Sequence, residues 1–361
     1  MNLLLKDYLD RQIAPVAAQL DSDSDRLFEA FRGLGDRHLL APKLPLSLNG
    51  LNLNTLDTWR FQAAIAQRSG ALAFLQTQHQ SAASLLSSSP SQSLANAYLP
   101  AMSSGAKRIG VGFSQLRKQP APLQAKRLSS GYQIDGTIPW VSGAGLFSEF
   151  IGAAELPDGS AVFGLIPLTN TKTIRVSQPM PLLGMSATST VSLALSNYRL
   201  PQEQVIATKP SGWIQSRDRA NPLSPLGLIL GCAQAGLNAT TSSLSKRQIE
   251  HSLPAQLQTQ IDRLWRVLPQ THALPLEAYD QKVALRGQAI ALANTCAQTA
   301  ILASSGAANM ANHPAGRIYK ESLVLSVSGQ SNGSAIASLD AISNNLEHPK
   351  QIESKAAEIA V

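Results

Sequence analysis

A chain of 361 residues, 44% hydrophobic and 15% charged with a formal charge of +7, is long enough for two or three packed units sharing a core and too apolar to be a disordered tail. Its 30 Lys and Arg residues are scattered, no denser than pairs such as Lys107-Arg108, Arg117-Lys118 and Lys126-Arg127, and aromatics are only 5%, which argues against the concentrated basic face with stacking rings of a nucleic-acid binder. No uninterrupted apolar run approaches the roughly 20 residues of a membrane span.

The basic pairs read mostly as solvated surface, with steering of a phosphate-bearing ligand as the alternative for some of them. The N-terminus MNLLLKDYLDRQIAPVAAQL breaks its apolar residues with Lys6, Asp7, Asp10 and Arg11 instead of running on as a signal-peptide core, so cytoplasmic residence is expected. From Leu3 to about Met102 the period is helical: Leu27, Phe28, Phe31 and Leu34 share one face, and Leu56, Trp59, Ala63 and Ala66 another. The connector APKLPLSLNGLNLN between them holds two prolines and a glycine and reads as a turn-rich loop.

From Arg108 the period becomes two, in IGVGFSQL, QAKRL, YQIDGTIPW, SAVFGLIPL and TVSLALSNYRL, so a compact antiparallel β unit is predicted over about 108–205. After Pro210 the helical period returns. Gly231, Ala235, Ala239 and Ser243 recur every four residues as a small-residue face for close helix packing. Cys232 and Cys296 lie in apolar segments and are expected as buried free thiols. His38, His79, His272 and His348 show no metal-ligand spacing, so no metal site is predicted. In GYQIDGTIPWVSGAG a large indole, Trp140, ends a strand and small residues follow; a core tryptophan capping a β-sandwich explains this stretch alone as well as a ligand-facing one does.

In order along the chain, IAPVAAQLD, LPAMSSGAKRIGVGFSQL, GYQIDGTIPWVSGAG, SSLSKRQ, SSGAANMANHPAGRIYKES and LVLSVSGQSNG resemble segments of the acyl-CoA dehydrogenase superfamily, over about residues 10–345. The resemblance implies an α+β fold with an N-terminal helical domain (1–105), a central antiparallel β domain (106–208) and a C-terminal four-helix bundle (209–361). It also implies FAD as cofactor and a homodimer or homotetramer. Trp140 takes the position that stacks on the flavin ring and Ser142 the hydroxyl position that binds its polar edge; a flat apolar wall and hydrogen-bond donors are what an isoalloxazine requires. Ser114 matches the position serving the flavin pyrimidine and Phe113 its surroundings. Arg247 matches an arginine reaching the flavin pyrophosphate of a neighbouring subunit, Ser305 and Gly306 the turn near the adenine, and Ser331 lies in the segment touching the flavin.

The chemistry departs from the family. Acyl-CoA dehydrogenation uses a glutamate to take the α proton while a hydride passes to the flavin; an ungapped alignment puts Gly329 at that position, and a shift by one puts Ser328 there. Neither can be a base. The alternative family location falls on Asn221, near Asp218, a candidate displaced base flanked by Arg217 and Arg219 whose alternative reading is a solvated loop carboxylate. The family's phosphate-side turn is replaced by Arg117-Lys118-Gln119-Pro120, which puts CoA binding in doubt. His251 and His313 are candidate acids or bases set against capping or surface roles. The leading reading is an FAD-dependent oxidoreductase acting on an acyl thioester or related small molecule, with no nucleic-acid partner and an electron acceptor left open. The alternatives are a flavin monooxygenase of the same fold, served by a flavin reductase, and a non-catalytic flavin-binding or assembly protein.

Overall fold

The computed structural model describes residues 3–346; His348 and the end of the third expected unit lie outside the described residues. Five α-helices come first: α1 (Leu3–Tyr8), α2 (Ser24–Gly35), α3 (Thr55–Ala66), α4 (Gly70–Ser87) and α5 (Gln92–Met102). Side-chain caps start the middle three: Asp23 accepts from the Arg26 N–H, Asn54 from Asp57 and Ser69 from Leu72, each satisfying a donor that the first helical turn leaves open. The α2 stripe buries Leu27, Phe31 and Leu34 and leaves Phe28 partly buried.

Eight strands follow: β1 (Ile109–Gly112), β2 (Leu123–Leu128), β3 (Gly131–Val141), β4 (Glu149–Glu155), β5 (Ala161–Pro167), β6 (Ile174–Val176), β7 (Val191–Pro201) and β8 (Val205–Lys209). They form one sheet in the order β6-β7-β3-β2-β4-β5-β8, with β1 added alongside β4. The sheet is mostly antiparallel, but β1 runs parallel to β4 and β2 meets β4 in parallel at Gln124 and Glu155, which the alternating pattern did not foretell. The predicted strand IGVGFSQL stops at Gly112 and turns into a 3-10 helix, Ser114–Arg117. There the Gln115 Nε2 donates to the Gly112 and Ala153 carbonyls at 3.3 and 2.8 Å, so a side chain occupies acceptors at the end of the ladder. Strand β4, which the sequence pattern did not reveal, buries five consecutive residues, Phe150 to Ala154, and so shows no period-two alternation.

The last helices are α6 (Trp213–Ala220), α7 (Leu226–Lys246), α8 (Leu253–Ala273), α9 (Tyr279–Ser304), α10 (Pro314–Val327) and α11 (Asn332–Leu346). Helices α7 to α10 make the four-helix bundle, and α11 lies along α9. The small-residue face of α7 is used inside the chain. An added Cβ at Gly227 would come within 2.5 Å of the Trp59 carbonyl oxygen, and one at Gly231 within 2.5 Å of Ala63's, so α7 and α3 pack almost backbone to backbone. Gly231 therefore serves the fold rather than a contact between subunits.

Two buried carboxylates tie the three layers together. Asp21 accepts from the Met185 N–H at 2.7 Å and from Lys320 Nζ at 2.8 Å, so one side chain joins the N-terminal helices to the β-unit loop and to α10. Glu321, fully buried, accepts from the Gly70 N–H that opens α4 at 2.9 Å and from Arg317 at 2.7 Å. Both partners are charged or donor groups, as burial of a carboxylate demands. Cys232 and Cys296 are buried and unbridged.

Candidate functional site

Between these layers lies a cleft of about 630 Å³, lined by α4, the β1 to 3-10 segment, the end of β3, the loop before β7, α6, α9 and the turn after α10. It gathers Phe113, Ser114, Trp140, Ser142, Asp218, Asn221, Ser328 and Gly329 from across the sequence.

Trp140 stands where the register of β3 against β7 shifts between Ile138 and Val141. An irregularity of this kind re-aims side chains. The indole is 52% exposed although it belongs to the cleft wall, so the core-capping alternative does not describe it. Ser142 is buried; its Oγ lies 2.7 Å from Thr190 Oγ1, which lies 3.1 Å from Thr188 Oγ1. Three linked hydroxyls thus meet the cleft beside the indole.

The small residues after Trp140 serve the packing of the loop. The Gly143 N–H donates to the Thr188 carbonyl at 2.7 Å and the Ala144 N–H to Ser189 at 3.2 Å, so these backbone donors are spent inside the protein. Gly143 has φ +92°, and an added Cβ would come within 2.2 Å of the Phe147 ring. Glycine is required there by conformation and by the ring packed against it.

Phe113 is 7% exposed and belongs to an aromatic cluster, 5.7 Å from Phe163 and 6.0 Å from Trp213 between ring centroids. The Arg217 guanidinium lies 5.4 Å from the Phe113 centroid, within cation–π range, and its burial lowers its pKa. Asp218, flanked by arginines in sequence, is held by a third one. Arg117 Nε and Nη2 donate to its two carboxylate oxygens at 2.7 and 2.8 Å, a bidentate geometry that pins both groups. Asp218 and Arg117 are thus partners in the cleft rather than solvated loop charges. Asn221 donates to the Arg217 carbonyl at 3.0 Å.

At the turn after α10, Ser328 and Gly329 both line the cleft. Gly329 has φ +60° and nothing within 4 Å of an added Cβ, so there is room for a side chain that this sequence does not supply. Among the described residues lining the cleft, Asp218 is the one carboxylate, set against Arg117, Lys118, Arg217 and Arg286.

Four predicted residues fall elsewhere. Arg247 Nη1 donates to the Ala303 carbonyl at 3.0 Å, which brings it to the α9 end where Ser305 and Gly306 follow; around Gly306 the space is open. These three form a second locus outside the cleft. Ser331 is not in the cleft lining; its Oγ accepts from the Ser334 N–H at 3.3 Å and lies 3.3 Å from Tyr279 Oη. His251 and His313 accept from the N–H groups of Leu253 and Ala315, as helix-start caps do. Among the described residues no group of three His, Cys, Asp or Glu is placed to hold a metal, and no helix is long and apolar enough to cross a membrane.

Two cleft residues were not singled out in the sequence. Gln115 is buried and its Oε1 has no hydrogen-bond partner. Arg286 is 3% exposed and its pKa is pushed down to about 10 by burial. A signal for Arg286 was available: from Val283 to Ser305 it is the sole charged residue, on the helix face that buries Ala289, Ile290 and Ala293. The half-exposed indole, the linked hydroxyls and the unpartnered Gln115 oxygen suit the flat, polar-edged ring system that the sequence resemblance implies.

Residues 4–106 match the family model for the acyl-CoA dehydrogenase N-terminal domain. The probable acyl-CoA dehydrogenase YngJ of Bacillus subtilis (strain 168) is 23% identical over 261 residues, 68% of this chain and 67% of that one. A glutaryl-coenzyme A dehydrogenase solved as its glutaryl-CoA complex superposes with a TM-score of 0.76 at 19% identity, over 96% of this chain and 94% of that one. KijD3, solved with FMN and dTDP-3-amino-2,3,6-trideoxy-4-keto-3-methyl-D-glucose, superposes with a TM-score of 0.73 at 18% identity, over 96% and 94%. Helical domain, sheet and bundle in this order give the chain the fold of the acyl-CoA dehydrogenases, and its residues 4–106 match that family's N-terminal domain.

Proposed function

We propose that this chain is a flavin-dependent oxidoreductase of the acyl-CoA dehydrogenase type, holding FAD non-covalently in a homodimer or homotetramer. It acts on an acyl thioester or related small molecule and has no free carboxylate at the usual base position. When bound, the flavin supplies a hydride acceptor. Trp140 supplies the apolar wall, and Ser142 with Thr190 supplies hydroxyls at its edge. Ser114 and the buried Gln115 oxygen are the polar groups on the β1 side, and Arg247 with Ser305 and Gly306 serves the adenine and phosphate end of a cofactor held mainly by a second copy.

The observation that carries this reading is the half-exposed Trp140 indole in the same cleft as the 328–329 turn. An isolated apolar ring left facing a cavity gains by being covered with a planar ligand. The purified protein should show a flavin spectrum, and Trp140→Ala should weaken flavin retention by about 1–3 kcal/mol, roughly tenfold to a hundredfold in Kd. Unchanged flavin affinity in that variant would remove Trp140 from the site.

A second reading, an oxygen-using flavin enzyme, is favoured by one feature: the cleft's lone carboxylate is already neutralised by Arg117. Such a reaction does not depend on α-proton abstraction. Substrate-dependent oxygen consumption in the presence of a flavin reductase distinguishes the two.

A further inference from the structure

Arg286 enters the cleft from α9 at the turn where a catalytic carboxylate is absent. Its Nη1 donates to the Pro222 and Gly329 carbonyls at 3.3 and 3.2 Å, and its Nη2 to Ser328 at 2.8 Å. A guanidinium has five N–H donors. Three are taken by these carbonyls and two remain, one of them on Nε, which is buried and without a partner. Among the described residues Arg286 forms no ion pair with a carboxylate, whereas Arg117 is fully matched by Asp218. The cleft therefore carries four cations against one acid, and the most deeply buried of the four, Arg286, has no carboxylate at ion-pair distance among the described residues.

A buried charge with open donors is costly unless something pairs with it. If Arg286 served only to pin the 328–329 turn, the carbonyls alone would be its purpose and the ligand's charge would not matter to it. We infer that Arg286 is a specificity residue that reads a carboxylate on the substrate, so that the preferred ligand of the cleft is the monothioester of a dicarboxylic acid rather than a neutral acyl thioester. This rests on the reading of the cleft as the substrate site. A guanidinium matches a carboxylate by two parallel donors, and the remaining pair of N–H groups is the number such a contact requires.

The test uses the full-length protein and two probes of the same shape: the N-acetylcysteamine monothioester of glutaric acid, and its counterpart in which the distal carboxyl is a primary amide. Calorimetric titration should show the acid binding about tenfold to a hundredfold more tightly, the range of a charge-assisted contact. Arg286→Gln should abolish that preference, and Arg286→Lys should keep part of it. Equal affinity of the two probes for the unaltered protein, or an unchanged preference in Arg286→Gln, would overturn the inference. Should the variants fail to fold, a crystal structure of the unaltered protein with the acid probe decides the matter: its carboxylate on Arg286 supports the inference, and its carboxylate on Arg117, Lys118 or Arg217 refutes it. Flavin content is read from absorbance in the same samples, so a protein that retains flavin but ignores probe charge sinks this inference alone. A protein that never takes flavin sinks the functional reading instead.

Discussion

The His79 imidazole shows how single side chains hold the cleft's walls. It is fully buried on α4, with Nδ1 3.2 Å from the Ile109 N–H and 3.1 Å from the Ile109 carbonyl, and Nε2 2.9 Å from the Met102 carbonyl. It thereby joins the end of α5 to the start of β1. Burial lowers its pKa from 6.5. Above the unfolded pKa the ring is neutral in both states and its contribution is intact. Below that pH the unfolded chain takes up a proton that the folded one resists, so stability is lost as pH falls toward the folded pKa, by at most about 1.4 kcal/mol per pH unit. Urea midpoints at pH 7 and pH 5.5 should therefore fall with acidity, and His79→Gln, less stable at pH 7, should lack that share of the fall. An identical pH dependence in the variant would assign the acid sensitivity to other groups.

At the level of elements, helices α10 and α11 each leave an apolar stripe in solvent: Tyr319, Leu323 and Val327 on the first, Ile336, Leu339 and Ile342 on the second. Spacings of three and four residues put each set on one face, and exposed apolar stripes of this kind are where an oligomer would close. We assign the proposed oligomer to this surface, since the small-residue face of α7 is used inside the chain, Gly231 against α3 and Ser243 against Ser304 of α9. Light scattering should show a dimer or larger species, and Leu323→Glu with Leu339→Glu should shift it to monomer; a strictly monomeric, fully flavinated parent would contradict the proposal. The periodic elements were legible in the sequence because burial on one face leaves a repeat. Strands β3 and β7 belong to that class, though not their pairing with each other. Strand β4, buried along its centre, has no alternation to find, and the parallel pairings depend on contacts distant in sequence. Arg286 was missed for a related reason: its importance lies in three carbonyls from residues 42 or more positions away, or in the unspent donors, neither of which a local pattern encodes.

Across the whole molecule, the cleft exists because three layers are clamped at its edges by Asp21 and Glu321, and its contents come from all three. That assembly explains why fold and chemistry diverge. The clamps, the capped helices and the indole wall build the cleft, while the turn that the resemblance assigns to a base carries Ser328 and Gly329, the latter with a left-handed backbone and empty space beside it. Loss of a general base typically costs about 10²–10⁴-fold in rate, and the paired Asp218 offers no free substitute. One anaerobic measurement tests this most directly: flavin absorbance after mixing the flavin-loaded protein with saturated acyl-CoAs of short to long chain. No bleaching at a useful rate is expected in the parent, and faster bleaching in Gly329→Glu, whose side chain has room despite a cost of about 1–2 kcal/mol for the backbone conformation. Rapid bleaching of the parent by any of these thioesters, with formation of the 2-enoyl product, would contradict it.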